Sequence, residues 1–170
     1  DFDYSEKGKF KVSMIKYLGN VLKEFPEVLK GSAATPAAEH LFKVREDGTA
    51  KLLSESEAQI FHHTVAQLLF LSARARRDIQ LAVAFLTTRV KAPDLDDWGK
   101  LRHCLIYLKG TLYTKRHLSA DALTSLLWWV DGSYGVHWDS KGHTGAMMTM
   151  GKSALISISW KHKLNVANST

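Results

Sequence analysis

The sequence predicts an α+β fold in which a helical part is followed by an antiparallel three-stranded β-meander. Apolar residues recur at helical spacing in several stretches up to Gly110, and beyond it the period changes to alternation. Two alternating runs then flank Gly151-Lys152, a pair suited to a two-residue hairpin turn. The change of period divides the chain into a helical unit over 1–112 and a β-rich unit over 113–170. With 45% hydrophobic residues in 170, the chain can bury a real core.

In order along the chain, residues 9–13 alternate charged and apolar side chains as a short strand does. Met14, Tyr17, Leu18, Val21, Leu22 and Phe25 follow at helical spacing, and Pro26 ends that helix. Gly, Ser, Ala, Thr and Pro fill a connector over 31–38, and residues 46–49 (EDGT) mark a turn. Ser54 and Glu57 have capping-box spacing, which opens a long helix with a stripe of Ile60, Phe61, Val65, Leu68, Leu69 and Ser72. Asp78 is placed to cap a second helix burying Ile79, Ala82, Val83, Leu86 and Val90, which Pro93 bars from continuing. Asp94, Asp96 and Asp97 set negative charge at the start of a third, lined by Trp98, Leu101, Leu105 and Leu108 and closed by Gly110. In the β-rich unit, an apolar run over 126–130 ends at Asp131, and a polar loop spans 132–142. Ala146, Met148 and Met150 alternate before the turn, and Ala154, Ile156, Ile158 and Trp160 after it. The expected product is a meander with one apolar face.

Composition narrows the classes of function. The longest apolar stretches, 65–71 and 81–86, are interrupted by Gln67, Thr87 and Arg89 well short of a membrane span, so no membrane role is expected. Charged residues at the start leave no apolar core for a secretory signal. Cys104 is the only cysteine, which excludes an internal disulfide and a cysteine-based zinc site and suits a small core residue. The net charge of +6 is unevenly spread, with 9 basic against 10 acidic residues in 1–60 and 14 against 7 in 61–170. Such an excess suits a polyanion partner such as nucleic acid. Arg74, Arg76 and Arg77 form the densest basic cluster, and Lys161, His162 and Lys163 form another, both suited to phosphate contacts. Trp128, Trp129, Trp138 and Trp160 share no single face and are read as core or strand packing. His137 and His143 are read as ordinary surface, and His62-His63, adjacent on a helix, diverge too far to chelate one ion.

Several of these segments together carry a family resemblance. FHHTVAQLLFL at 61–71, RRDI at 76–79 and YLKGT at 107–111 resemble, in order and spacing, the region downstream of the polymerase site in copia-type LTR-retrotransposon Pol polyproteins. VDGSY at 130–134, HTG at 143–145, GK at 151–152 and KHKLN at 161–165 look like the first three strands of that family's RNase H domain. Residues 9–13 and the following helix resemble the strand that positions the primer terminus, leading into the thumb. On this resemblance, 1–112 is a helical reverse-transcriptase thumb/connection segment and 113–170 the opening of a truncated RNase H-like domain. Arg77 and Gly132 depart from the family's usual proline and alanine.

The resemblance implies a parent that copies RNA into DNA and cleaves RNA/DNA hybrids. It would act in the cell, in cytoplasmic virus-like particles and the nucleus, with the rest of Pol and nucleic acid as partners. Cleavage in that family uses two Mg2+ ions held by carboxylates from several elements. Asp131 matches the first of these, a catalytic metal ligand, but the helix bearing the next carboxylate would follow Thr170. The paired aspartates of the polymerase would precede Asp1. The resemblance thus implies that this chain alone lacks both complete sites and keeps at most backbone binding. A competing expectation is a structural or protein-interaction module retained by a host.

Overall fold

The computed structural model describes residues 1–45, 49–119 and 124–151, and the backbone of 153–162. Two strands, β1 (Phe2–Asp3) and β2 (Lys9–Val12), lead into helix α1 (Ile15–Glu24). After a connector without regular structure come α2 (Glu55–Arg74), a 3-10 turn (Arg77–Ile79), α3 (Gln80–Thr87) and α4 (Leu95–Gly110). Strands β3 (Arg116–Ser119), β4 (Leu126–Ser133), β5 (Gly142–Met150) and β6 (Ser153–His162) complete the order. The fold is thus α+β with antiparallel sheets. Among the described residues no helix is long and apolar enough to cross a membrane.

The helix starts follow from their caps. Ser54 Oγ accepts from the Glu57 amide at 3.3 Å while Glu57 Oε2 accepts from the Ser54 amide at 2.9 Å. Asp94 and Asp97 form the same reciprocal pair at 2.8 and 3.2 Å, so these aspartates satisfy orphan amides as well as the helix dipole. Pro26 lies just outside α1 as expected, whereas α3 ends at Thr87, before Val90 and well short of Pro93. The turn expected at 46–49 falls largely outside the described residues.

The core lies among α1 to α4. Phe61, Leu68 and Leu71 of α2, Ile79, Val83, Phe85 and Leu86 around α3, and Leu101, Cys104, Leu105 and Leu108 of α4 are all fully buried. Each large side chain so buried is worth ~1.5–3 kcal/mol. The α2 stripe differs from expectation: Thr64 and Leu71 are buried, whereas Ile60 is only partly buried and Leu69 is 49% exposed. Phe61, Thr64, Val65, Leu68, Leu71 and Ser72 keep the three- and four-residue spacing of one face, and Leu69 stands about 100° off it.

The first sheet has the order β1-β2-β3, with Phe10 opposite Leu118 and Val12 opposite Arg116. Thus β3, beyond the expected boundary at 112, pairs with a strand from the opening of the chain. The second sheet is the expected meander β4-β5-β6. Met150 pairs with Ser153 across the expected two-residue turn, where Gly151 takes a φ of +71° that favours glycine.

Two expectations about the second sheet fail. Trp128 and Trp129 on β4, and Trp138 in the loop after it, are not core residues but about half exposed, and among the described residues β4 is an edge strand. The Trp160 side chain lies outside the described residues. Conversely, His137 and His143 are buried, not surface. Their Nε2 and Nδ1 atoms lie 3.0 Å apart in a hydrogen bond, and Phe42 and Phe85 pack against the rings. Imidazoles that satisfy each other can enter an aromatic setting, and this pair seats the loop between β4 and β5 on the helical body.

Candidate nucleic-acid interface

Arg74, Arg76 and Arg77 are adjacent in sequence, but the end of α2 sends them to three different environments. Arg74, in the last turn, is exposed, with its guanidinium 3.6 Å above the Phe70 ring. Arg76 follows the helix end and turns inward, leaving only 2% of its surface exposed. Its Nε and Nη2 donate to the Asp78 carboxylate at 2.7 to 3.2 Å, and its Nη1 and Nη2 donate to the carbonyl and hydroxyl of Thr111 at 3.0 and 2.6 Å. Tyr107 Oη donates to the same carboxylate at 2.8 Å. The expected phosphate contact at Arg76 is therefore corrected to a buried strut. Its donors are committed within the protein, and pulling it out would strand Asp78.

This network also corrects Asp78. It caps no helix: α3 starts without a side-chain cap, and Asp78 instead serves Arg76 and Tyr107. Burial pushes its carboxyl upward, but the hydrogen bonds from Arg76 and Tyr107 and the Arg76 charge outweigh that and hold it below the usual aspartate range. RRDI and YLKGT, some 30 residues apart in sequence, thus meet as one polar clamp joining the end of α2 to the end of α4.

Arg77 remains half-buried at the surface. Burial lowers its pKa, and so does the like charge of Arg116 on β3. Arg116 Nη1 in turn donates to the Arg74 carbonyl at 3.2 Å. Three cationic groups, Arg74, Arg77 and Arg116, therefore gather where α2, the 3-10 turn and β3 meet. Little in the sequence marks Arg116, a single arginine in a short strand whose pairing with β2 spans about a hundred residues.

Beside this seam an open groove of about 630 Å³ runs between the 3-10 turn and the second sheet. Arg77, Gln80 and Leu81 form one wall, and Trp129, Asp131 and Met147 the other. Trp129 and Asp131 share a face of β4, opposite Met147 and Gly145 of β5. The groove therefore brings together two of the expected site residues, Arg77 and Asp131. Lys161 sits on β6 opposite His143, with its side chain outside the description, and Lys163 lies outside the described residues altogether.

Asp131 is exposed on β4. Among the described residues no three His, Cys, Asp or Glu side chains converge to hold a metal. Asp78 lines the same groove, but its carboxylate is engaged by Arg76 and Tyr107. The described residues thus do not make up a two-magnesium centre around Asp131. What the arrangement can do is present guanidinium groups beside an open, partly aromatic surface. No family model, curated protein or solved structure matches this chain.

Proposed function

We propose that this chain is part of a copia-type retrotransposon polyprotein, a thumb/connection segment leading into the first strands of an RNase H-like domain, and that it binds nucleic-acid backbone without cleaving it. The observation that carries the binding is the arginine seam beside the groove. Arg74, Arg77 and Arg116 come from three elements to one surface, and Arg77 is half-buried against the like charge of Arg116. Like charges brought this close suit a row of phosphates, which guanidinium groups bind with charge-assisted hydrogen bonds. The β4 run gives the RNase H-like reading separate support. Apolar on successive positions and exposed on both faces, it has the character of a central strand of a larger sheet. The RRDI–YLKGT clamp gives a physical reason for those two motifs to occur together.

Binding to an RNA/DNA hybrid tests this reading. Affinity is expected to be sequence-tolerant and to fall steeply between ~50 and ~200 mM salt. Replacing Arg74 and Arg77 together by alanine is expected to weaken binding and reduce the salt slope by about one per lost phosphate contact. Salt-independent binding, or none by a folded chain, overturns the proposal.

The exposed Leu126, Leu127, Trp128, Trp129 and Val130 favour a second reading, a retained protein-interaction module. Specific capture of one protein partner with no hybrid binding is the outcome that selects it.

A further inference from the structure

A second cleft, of about 420 Å³, opens on the other side of the arginine seam, between the first sheet and the end of α2. Its walls include Phe2, Phe10 and Leu118 from the sheet and Phe70 from α2, and Arg74 and Arg116 also line it. Phe2 stacks on Phe10 with ring centroids 5.4 Å apart, and Tyr4 continues the file at 4.6 Å from Phe10. Phe2 is nevertheless 68% exposed, so its flat apolar surface faces water beside two guanidinium groups, while the Phe70 ring carries the Arg74 guanidinium on one face.

We infer that this cleft takes an unpaired nucleotide of a single strand, with its base against the Phe2 ring and its phosphate on Arg74 and Arg116. The combination of walls selects the ligand. Aromatic faces recognise a planar ring whatever its sequence, and a neighbouring guanidinium pair favours a ring that carries an anion. Base-paired nucleotides keep their faces stacked inside the helix, so only an unpaired one can enter. Burial lowers the pKa of Arg116, in keeping with a guanidinium partly withdrawn from water. The inference rests on the nucleic-acid reading for its ligand class and shares Arg74 and Arg116 with the seam, but it adds an aromatic contact to a base that backbone binding does not need.

The whole chain is titrated with a blunt RNA/DNA hybrid, the same hybrid carrying a short oligothymidine tail, and one carrying an abasic tail of equal charge. The thymidine tail is expected to tighten binding about tenfold over the abasic tail, the scale of one base–aromatic stack. Phe2→Ala is expected to remove that difference while leaving the blunt hybrid unchanged, because Phe2 stacks on Phe10 and not on an arginine of the seam. A thermal melt confirms that the variant is folded. Equal binding of the two tails, or a difference that survives in the folded variant, overturns the inference. Free oligothymidylate and its abasic counterpart separate this inference from backbone binding. Base-dependent binding without hybrid binding sinks the backbone reading and keeps the cleft. Hybrid binding without base dependence does the reverse, and no binding to any probe removes both.

Discussion

The helical body and the second sheet contain comparably apolar segments and treat them in opposite ways. Phe61, Leu68, Phe85 and Leu105 are wholly buried, whereas the five residues of the β4 run stand 49 to 70% exposed. Geometry explains the contrast. A helix with one apolar stripe is completed by another helix, and α1 to α4 complete one another within the chain. A strand apolar on both faces needs a layer on each face and neighbours at both edges, and among the described residues β4 pairs with β5 alone. The helical body is thus self-sufficient, while the second sheet depends on what covers it.

The largest effect is expected inside the helical body. Phe85→Ala should cost ~3–5 kcal/mol in urea denaturation, and it also removes the ring stacked against His137. Next comes the clamp. Arg76→Ala should cost roughly 3 kcal/mol, the lower end for a buried pair, because about a third of the Asp78 side chain stays in solvent. Arg74→Ala should leave stability nearly unchanged while weakening hybrid binding, which distinguishes neighbours that sequence alone treats alike.

Acid should dissolve the clamp in a defined direction. The folded-state pKa of Asp78 is depressed, so its stabilisation is full above the unfolded value of ~3.9 and lost as pH falls through the folded one. Urea midpoints of the wild type and Asp78→Asn should therefore converge as the pH drops below about 4. A constant gap would place the contribution of Asp78 elsewhere. Ser54→Ala, which breaks the α2 capping box, should cost about 1 kcal/mol. The smallest effect is expected from Trp129→Ala, within about 0.5 kcal/mol. A loss as large as that of Phe85→Ala would mean that β4 is covered in solution. Cys104 offers a check without mutation: burial pushes its thiol to about 12, so alkylation at mild alkaline pH should await unfolding.

Legibility in the sequence followed the range of the interaction. The capping pair Ser54–Glu57, the end of α1 before Pro26 and the two-residue turn at Gly151 involve neighbours within a few residues, and all were readable. The α2 stripe was readable at Phe61, Val65, Leu68 and Ser72 but not at its edges, where adjacent apolar residues such as Ile60 and Leu69 leave the helix phase open by one position. For the candidate site, Arg77 and Asp131 were readable as residues, but their shared groove was not. Arg76 was misread because its inward turn depends on Thr111, and Arg116 was missed because its place depends on β2.

The sequence by itself determined the order of helices and strands, the switch at Gly110 and the one cysteine held in the core, because periodicity and local hydrogen bonding act over a few residues. Only the tertiary structure decided which arginine is a strut and which faces solvent, that two loop histidines are buried against Phe42 and Phe85, and that β4 stays uncovered. Those outcomes turn on which distant groups satisfy a charge, a ring nitrogen or an apolar face, and distant pairing is set by packing of the whole chain.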